Sequence, residues 1–209
     1  MRDPGISIRP AAPRDVPLIL SFIRELAEFE REPHAVLATE ALLHRHLFGE
    51  GFGRGPVAEC VIGEIDGEPQ GFALFYTTFS TWLARPGIYL DDLYVRPAAR
   101  GHGLGKALLA HLAGLVAERS RAGEGAPAIG DPAAPGEIES GPGPGGALHA
   151  ETPRDGAGRL EWIVLDWNTS AIEFYESQGA RLMRDWIVCR LSGEQVLRLA
   201  ASGRPAVRP

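Results

Sequence analysis

Apolar residues recur along this chain at two spacings. Residues 6–10 (ISIRP), 56–65 (PVAECVIGEI), 70–79 (QGFALFYTTF) and 87–95 (GIYLDDLYV) are short runs rich in β-branched and aromatic residues, bounded by turn formers, which predicts strands. The Asp66-Gly67 pair between the second and third predicts a tight hairpin turn. Over 13–32 the spacing changes. Val16, Ile19, Leu20, Ile23, Leu26 and Ala27 trace the i, i+3, i+4, i+7 stripe of a helix lying on a core, with Asp15 near its cap. A second helix is predicted over 39–49 with Thr39 as cap, and a third from Gly103 to Arg119. The last part predicts a strand at 159–166, a helix at 168–179 capped by Asn168 and stopped by Gly179, a strand at 180–191 (ARLMRDWIVCRL) and a short helix at 193–200.

From 121 to 158 the periodicity stops. Of these 38 residues 24 are Gly, Ala or Pro, and only Ile129, Ile138 and Leu148 are large and aliphatic, too few to offset the entropy of ordering. The expectation is a disordered surface insertion. The order β-α-α-β-β-β-α-β-α-β then predicts an α/β (α+β) fold, a mixed sheet with helices on its faces. It would form a single domain over 5–200, interrupted by 121–158 and followed by a flexible tail at 201–209.

Composition narrows the function classes. With 209 residues, 44% of them hydrophobic, the chain can bury a sizeable core. No run approaches about 20 consecutive apolar residues, and MRDPGISIRP lacks the apolar centre of a signal peptide, so a cytoplasmic protein without a membrane partner is expected. A net charge of −6 argues against nucleic acid as partner and suits a cationic one. Cys60 and Cys189 lie in predicted strands outside any C-x-x-C pair and read as buried reduced thiols. His44 and His46, two apart on a helix, point in different directions and read as surface residues; no metal is expected.

Candidate chemistry begins at RGHGLGKALL, residues 100–109. Gly101, Gly103 and Gly105 precede an apolar helical run, and a glycine loop that opens a helix offers free N–H groups to an anion. Walker A would need a glycine at 100 and a hydroxyl at 107, where the chain has Arg100 and Ala107. The dinucleotide fingerprint would need a third glycine at 106 or 108, where it has Lys106 and Leu108. Both nucleotide cradles are excluded, and the glycines alone also fit a plain turn.

The loop has company, however. YLDDLYV runs directly into it, and DWNTSAIEFYESQGA follows further on. Together these resemble the GNAT superfamily of acyl-CoA-dependent N-acetyltransferases. Within it they are similar to the spermidine/spermine (diamine) and thialysine group, which shows L-E-D before an aromatic-Val pair, R-G-x-G-x-G, and W-N-x-x-x-I-x-F-Y with a later G-A. IRPA, ELAEFE and FSTWLARPGIYL fit the same group, so the resemblance spans nearly all of 6–200 except the insertion. It implies a GNAT-like, mostly antiparallel twisted sheet, acetyl-CoA as acetyl donor, a small amine as acceptor, and a homodimer.

Residue by residue, the resemblance assigns Arg100, Gly101, His102, Gly103, Leu104, Gly105 and Lys106 to the coenzyme pyrophosphate. Leu93, Tyr94 and Val95 face the coenzyme through their backbone, Leu93 and Val95 offering N–H groups where the strand splays. Asn168 and Ser170 contact the coenzyme arm, and Tyr175 hydrogen-bonds the departing sulfur. Tyr175 lies two helical turns after Asn168; read without the resemblance, it fits core packing equally well.

An alkyl ammonium of pKa about 10.4 is almost wholly charged at pH 7, a deficit of roughly 4.6 kcal/mol that a base must address. The group's glutamate for this task is replaced here by Asp91, one methylene shorter, which favours a water relay. Successive strand residues face opposite sides, so Asp91 and Asp92 share a face only if a bulge intervenes. Phe29 and Glu30 match the group's aromatic-acidic pair, Glu30 also reading as a solvated helix end, while Glu161 and Trp162 match its substrate wall. The acceptor implied is a small polyamine or diamino acid such as spermidine, putrescine or thialysine. A protein lysine, an N-terminus or another amine, and a coenzyme-A-binding regulator without turnover, are the alternatives.

Overall fold

A computed structural model describes residues 5–49, 51, 55–124 and 157–202 of the chain. They fall into two compact units, Met1–Ile163 and Val164–Pro209. In the first, the alternating runs pair edge to edge. Strands β1 (Ile6–Pro10), β2 (Glu59–Ile65), β3 (Glu68–Ser80), β4 (Arg85–Val95) and β5 (Leu160–Glu161) make one sheet in sequence order, antiparallel except for the β4–β5 pair. The β2–β3 turn is the expected one: Asp66 (φ 52°) and Gly67 (φ 83°) both adopt the left-handed conformation that a two-residue hairpin needs.

Helices cover both faces. Helices α1 (Val16–Phe29) and α2 (Glu40–Phe48) lie on one side, where Ile19, Phe22, Leu47, Cys60, Ile62, Phe72, Leu74 and Tyr94 form a single buried cluster. Phe22, absent from the predicted stripe, is fully buried and stacks on Phe72 at 5.4 Å. Thr39 caps α2 by accepting from the Leu42 N–H, as expected. Asp15 stands before α1, but its carboxylate turns to Arg9 and the Ala12 N–H rather than to the helix.

Helix α3 (Leu104–Glu124) packs on the other face through Leu104, Leu108, Leu112 and Val116, four residues apart along one stripe. Gly63 makes this close approach possible, since a Cβ there would stand 2.8 Å from Leu104 Cδ1. The start of α3, and with it the glycine loop, is thereby pinned over β2.

Some expectations are corrected. The predicted strand at 159–166 pairs only over Leu160–Glu161. Its partner β4 bulges just beyond, and a bulge reverses which groups face a neighbour, so the ladder cannot run on. In the second unit, helix α4 (Thr169–Ser177) forms with Asn168 as its cap and Gly179 (φ 89°) as its stop. Residues 180–191, however, form no strand. Apolar content alone does not make one; among the described residues no partner strand supplies hydrogen bonds, and Trp186, Ile187, Val188 and Leu191 stand exposed. Cys189 on this segment is consequently exposed, not buried, while Cys60 is buried and its thiol pushed up to about 12. His46 is likewise half-buried rather than at the surface, its Nδ1 enclosed.

Helix α3 continues past Arg119 to Glu124, so the first residues of the Gly/Ala/Pro-rich segment are helical; its stretch 125–156 lies outside the described residues, as does 203–209. Helix α5 (Glu194–Ser202) closes the described chain. No helix among the described residues is long and apolar enough to cross a membrane.

Candidate active site

The glycine loop is built to leave N–H groups open. Gly101 (φ 81°) and Gly103 (φ 89°) take left-handed conformations that side chains resist, and a Cβ on either would meet nothing closer than 3.7 Å. Conformation, not crowding, demands glycine there. The first helical bond runs from the Ala107 N–H to the Gly103 carbonyl, so the N–H groups of Leu104, Gly105 and Lys106 precede any intrahelical partner. Three donors at the positive end of a 21-residue helix fit a diphosphate. Lys106 is exposed at the same turn, and His102 Nδ1 lies 3.4 Å from the Ala99 carbonyl oxygen.

The strand leading into the loop carries the decisive irregularity. Leu74 pairs with Asp92 and Phe75 with Leu90, so Asp91 is an extra residue, a β-bulge. Two hydrogen bonds reveal its effect. The Ile88 N–H donates to Arg159 on the β5 side, whereas the Arg96 N–H donates to Gln70 on the β3 side. Both residues are even-numbered, and N–H directions alternate along a strand, so the alternation must reverse between them. After the bulge it is Leu93 and Val95 whose N–H groups face away from β3. Pairing with β5 has ended at Tyr89, and these donors line the sheet edge next to the glycine loop.

The same reversal moves side chains. Asp92 pairs with Leu74 and therefore points to the α1 face, two residues after Leu90, which pairs with Phe75 and points to the α3 face. Burial, and then the charge of Asp91, raise the phenol pKa of Tyr76, which stacks on Tyr89 at 5.2 Å, so this carboxylate acts on the same aromatic pair. Glu30 arrives from α1. That helix ends in a pair of reverse bonds, Glu32 N–H to Ala27 O (2.9 Å) and Arg31 N–H to Glu28 O (3.1 Å), with Arg31 at φ 65°, which fixes Phe29 and Glu30 at the helix end.

Burial, then the charges of Asp91 and Glu30, push the Asp92 carboxyl up to about 7. Burial also raises Glu30 above the ordinary carboxylate value. Asp91 and Glu30 are the candidates that sequence supplies; Asp92, half-buried beside them, is the carboxylate that the structure adds. The available signal was a charged doublet in the middle of an apolar strand.

Two arginines tie these parts together. Arg96 holds Glu25 of α1 through Nε (3.0 Å) and Nη2 (2.8 Å) and lies over the Phe22 ring. Arg100, expected only as a charge for phosphate, donates from Nε to the Val95 carbonyl (2.9 Å), with its guanidinium 5.0 Å from the Phe29 ring centroid and 5.9 Å from that of Tyr94. Glu161 pairs with Tyr89 at the end of β5 and stands exposed, and Trp162 follows half-buried.

Within the second unit, Asn168 Oδ1 accepts from the Ala171 N–H (3.2 Å) and from Ser170 Oγ (3.2 Å), and Tyr175 is buried beside Phe174. Among the described residues, no group of three His, Cys, Asp or Glu is disposed to hold a metal ion.

A glycine loop at a helix start, fed by a bulged strand with free edge N–H groups, defines an acyl-transfer class of site. Residues 20–125 match the model of the acetyltransferase (GNAT) family, and the chain belongs to that family. It is an N-acetyltransferase. The chain is 31% identical to thialysine N-epsilon-acetyltransferase of Sus scrofa over 94% of its length and 98% of that protein's. It is 28% identical to L-ornithine N5-acetyltransferase of Arabidopsis thaliana over 90% of its length and 84% of that protein's. Among solved structures, an integron cassette protein from V. cholerae shares the fold with a TM-score of 0.63 at 22% identity, over 93% of this chain and 97% of that one.

Proposed function

We propose that the protein transfers the acetyl group of acetyl-CoA to a primary amine of a small polyamine or diamino acid, with donor and acceptor bound together. The observation that carries the acceptor class is the convergence of Glu30, Asp91 and Asp92 on one face, where the charges bearing on Asp92 are both negative. A dication fits that field: one amine reacts while a second ammonium remains with the carboxylates. The relatives named for thialysine and ornithine point to the same chemistry.

Acetyl-CoA supplies the acetyl group as a thioester. The N–H groups of Leu104, Gly105 and Lys106 hold the pyrophosphate, with Gly101 and Gly103 shaping the approach and Arg100, His102 and Lys106 around it. Asn168 and Ser170 address the coenzyme arm. The N–H groups of Leu93 and Val95 receive the charge that develops on the thioester oxygen, with Tyr94 between them held to the core.

On the acceptor side, Phe29, Glu161 and Trp162 wall the amine, and the coupled Asp91–Asp92 pair takes its proton, directly or through water. An ammonium of pKa about 10.4 handing its proton to a carboxylate near 7 goes uphill by about 5 kcal/mol, against about 9 for an ordinary aspartate. The raised carboxyl thus removes nearly half of the deprotonation cost. The amine nitrogen then bonds to the carbonyl carbon as the carbon–sulfur bond breaks, and the sulfur leaves with the electron pair. A phenol is a weaker acid than a thiol by about 2 kcal/mol, so Tyr175 supports the leaving sulfur by donating a hydrogen bond.

Thiol release from acetyl-CoA, followed with spermidine, putrescine, thialysine, ornithine, lysine and a lysine peptide, tests the reading. Turnover with one or more small diamines, well above that with the peptide, is expected. Peptide turnover without small-amine turnover would place the acceptor among proteins instead. A protein that binds acetyl-CoA and acetylates nothing in the panel would overturn the acceptor class altogether.

A further inference from the structure

Arg100 stands where the two halves of the site meet. It is the residue immediately before Gly101, yet its side chain leaves the loop and lies over Phe29, the last residue of α1 and the neighbour of Glu30. Nε is committed to the Val95 carbonyl at the end of the bulged strand. The guanidinium carbon lies over the Phe29 ring and near the Tyr94 ring while Nε keeps its carbonyl, a combination that the single ammonium of a lysine could not reproduce. Ring contacts use the flat face of a guanidinium, while its hydrogen bonds lie in the plane. The Nη groups can therefore meet an anion at the loop without giving up Phe29.

We propose that Arg100 is a positioning residue that couples the two half-sites, so that filling the donor loop orders the Phe29–Glu30 end of α1 and tightens amine binding. This rests on the acetyl-transfer reading above. Coupling of this kind is reciprocal. If donor occupancy improves amine affinity by some factor, amine occupancy improves donor affinity by the same factor. A change at Phe29, which belongs to the amine side, must then reach the donor.

Calorimetric titration of coenzyme A, without any amine and without turnover, provides the test. Phe29→Leu is expected to weaken coenzyme A binding by about fivefold, the scale of a partly exposed cation–π contact. Phe29→Tyr, which keeps the ring face, restores it. Arg100→Lys weakens it as well, and the double variant Phe29→Leu/Arg100→Lys is no worse than Arg100→Lys alone, because the two residues act through one contact.

Unchanged coenzyme A affinity in Phe29→Leu, or losses that simply add in the double variant, would overturn the coupling while leaving the functional reading intact. Absence of coenzyme A binding by the unaltered protein would overturn the functional reading, and the coupling with it.

Discussion

Asp15, buried just before α1, and Asp92, half-buried on β4 and facing α1, end in opposite electrostatic states. Asp15 accepts two hydrogen bonds from Arg9, at 2.7 and 2.9 Å, and one from the Ala12 N–H at 2.7 Å. Hydrogen bonding to Arg9 holds its carboxyl below the ordinary value despite its burial. Arg9 in turn holds Glu64 at 2.8 Å, so both carboxylates share one guanidinium supplied by the fold. Asp92 meets burial, Asp91 and Glu30, and stands at about 7. Asp15 is matched by a guanidinium of the fold, whereas the two charges bearing on Asp92 are negative, which under the proposed function suits a cationic acceptor. A structural carboxylate is finished when the chain folds, whereas a binding carboxylate is completed by its ligand.

The largest way to break this contrast is at the reacting pair. Asp92→Asn is expected to lower kcat/KM by about 100- to 1,000-fold, the usual range for a lost acid–base group. The same change at Asp15 should leave turnover per folded molecule unchanged, and steady-state kinetics on the two variants separates the roles. Asp15→Asn acts on stability instead. It strips Arg9 of its main partner, for a loss of about 3 kcal/mol in urea denaturation.

Stability should move the other way for Asp92. Its folded-state pKa is raised, so the folded protein holds the proton more tightly than the unfolded chain does. Ionisation therefore costs stability progressively as pH rises from about 4 through about 7. Asp92→Asn removes that cost, and a gain on the order of 4 kcal/mol at pH 8, vanishing at pH 4, is expected from the same denaturation experiment. The smallest effect belongs to Glu30→Gln. Removing one of two negative neighbours lowers the Asp92 pKa, so the midpoint of the pH–kcat/KM profile shifts to lower pH, and the diamine KM rises about fivefold with kcat nearly unchanged.

Much of this molecule can be read from local pattern. The Asp66-Gly67 turn, the α1 stripe, the Thr39 cap and the Gly179 stop are short-range features, set by residues within a turn or two of one another. The resemblance carried by YLDDLYV and the glycine loop reached the family. What stayed hidden is non-local. A bulge exists only as a register between two strands, so sequence could say that Asp91 and Asp92 share a face if β4 bulges, but not that it does. Residues 180–191 are apolar and β-branched enough to suggest a strand and still lack one, because pairing depends on a neighbour. Arg100 looked like a phosphate ligand from its place in the loop, and nothing nearby in sequence points to Phe29, 71 positions earlier.

Carboxyl-carbon NMR titration of Asp15 and Asp92 in the same sample tests the central claim most directly. Asp92 is expected to titrate near 7 and Asp15 below the ordinary aspartate value, with ornithine or spermidine moving only Asp92, downward. An Asp92 that titrates near 4 and ignores every diamine would contradict it.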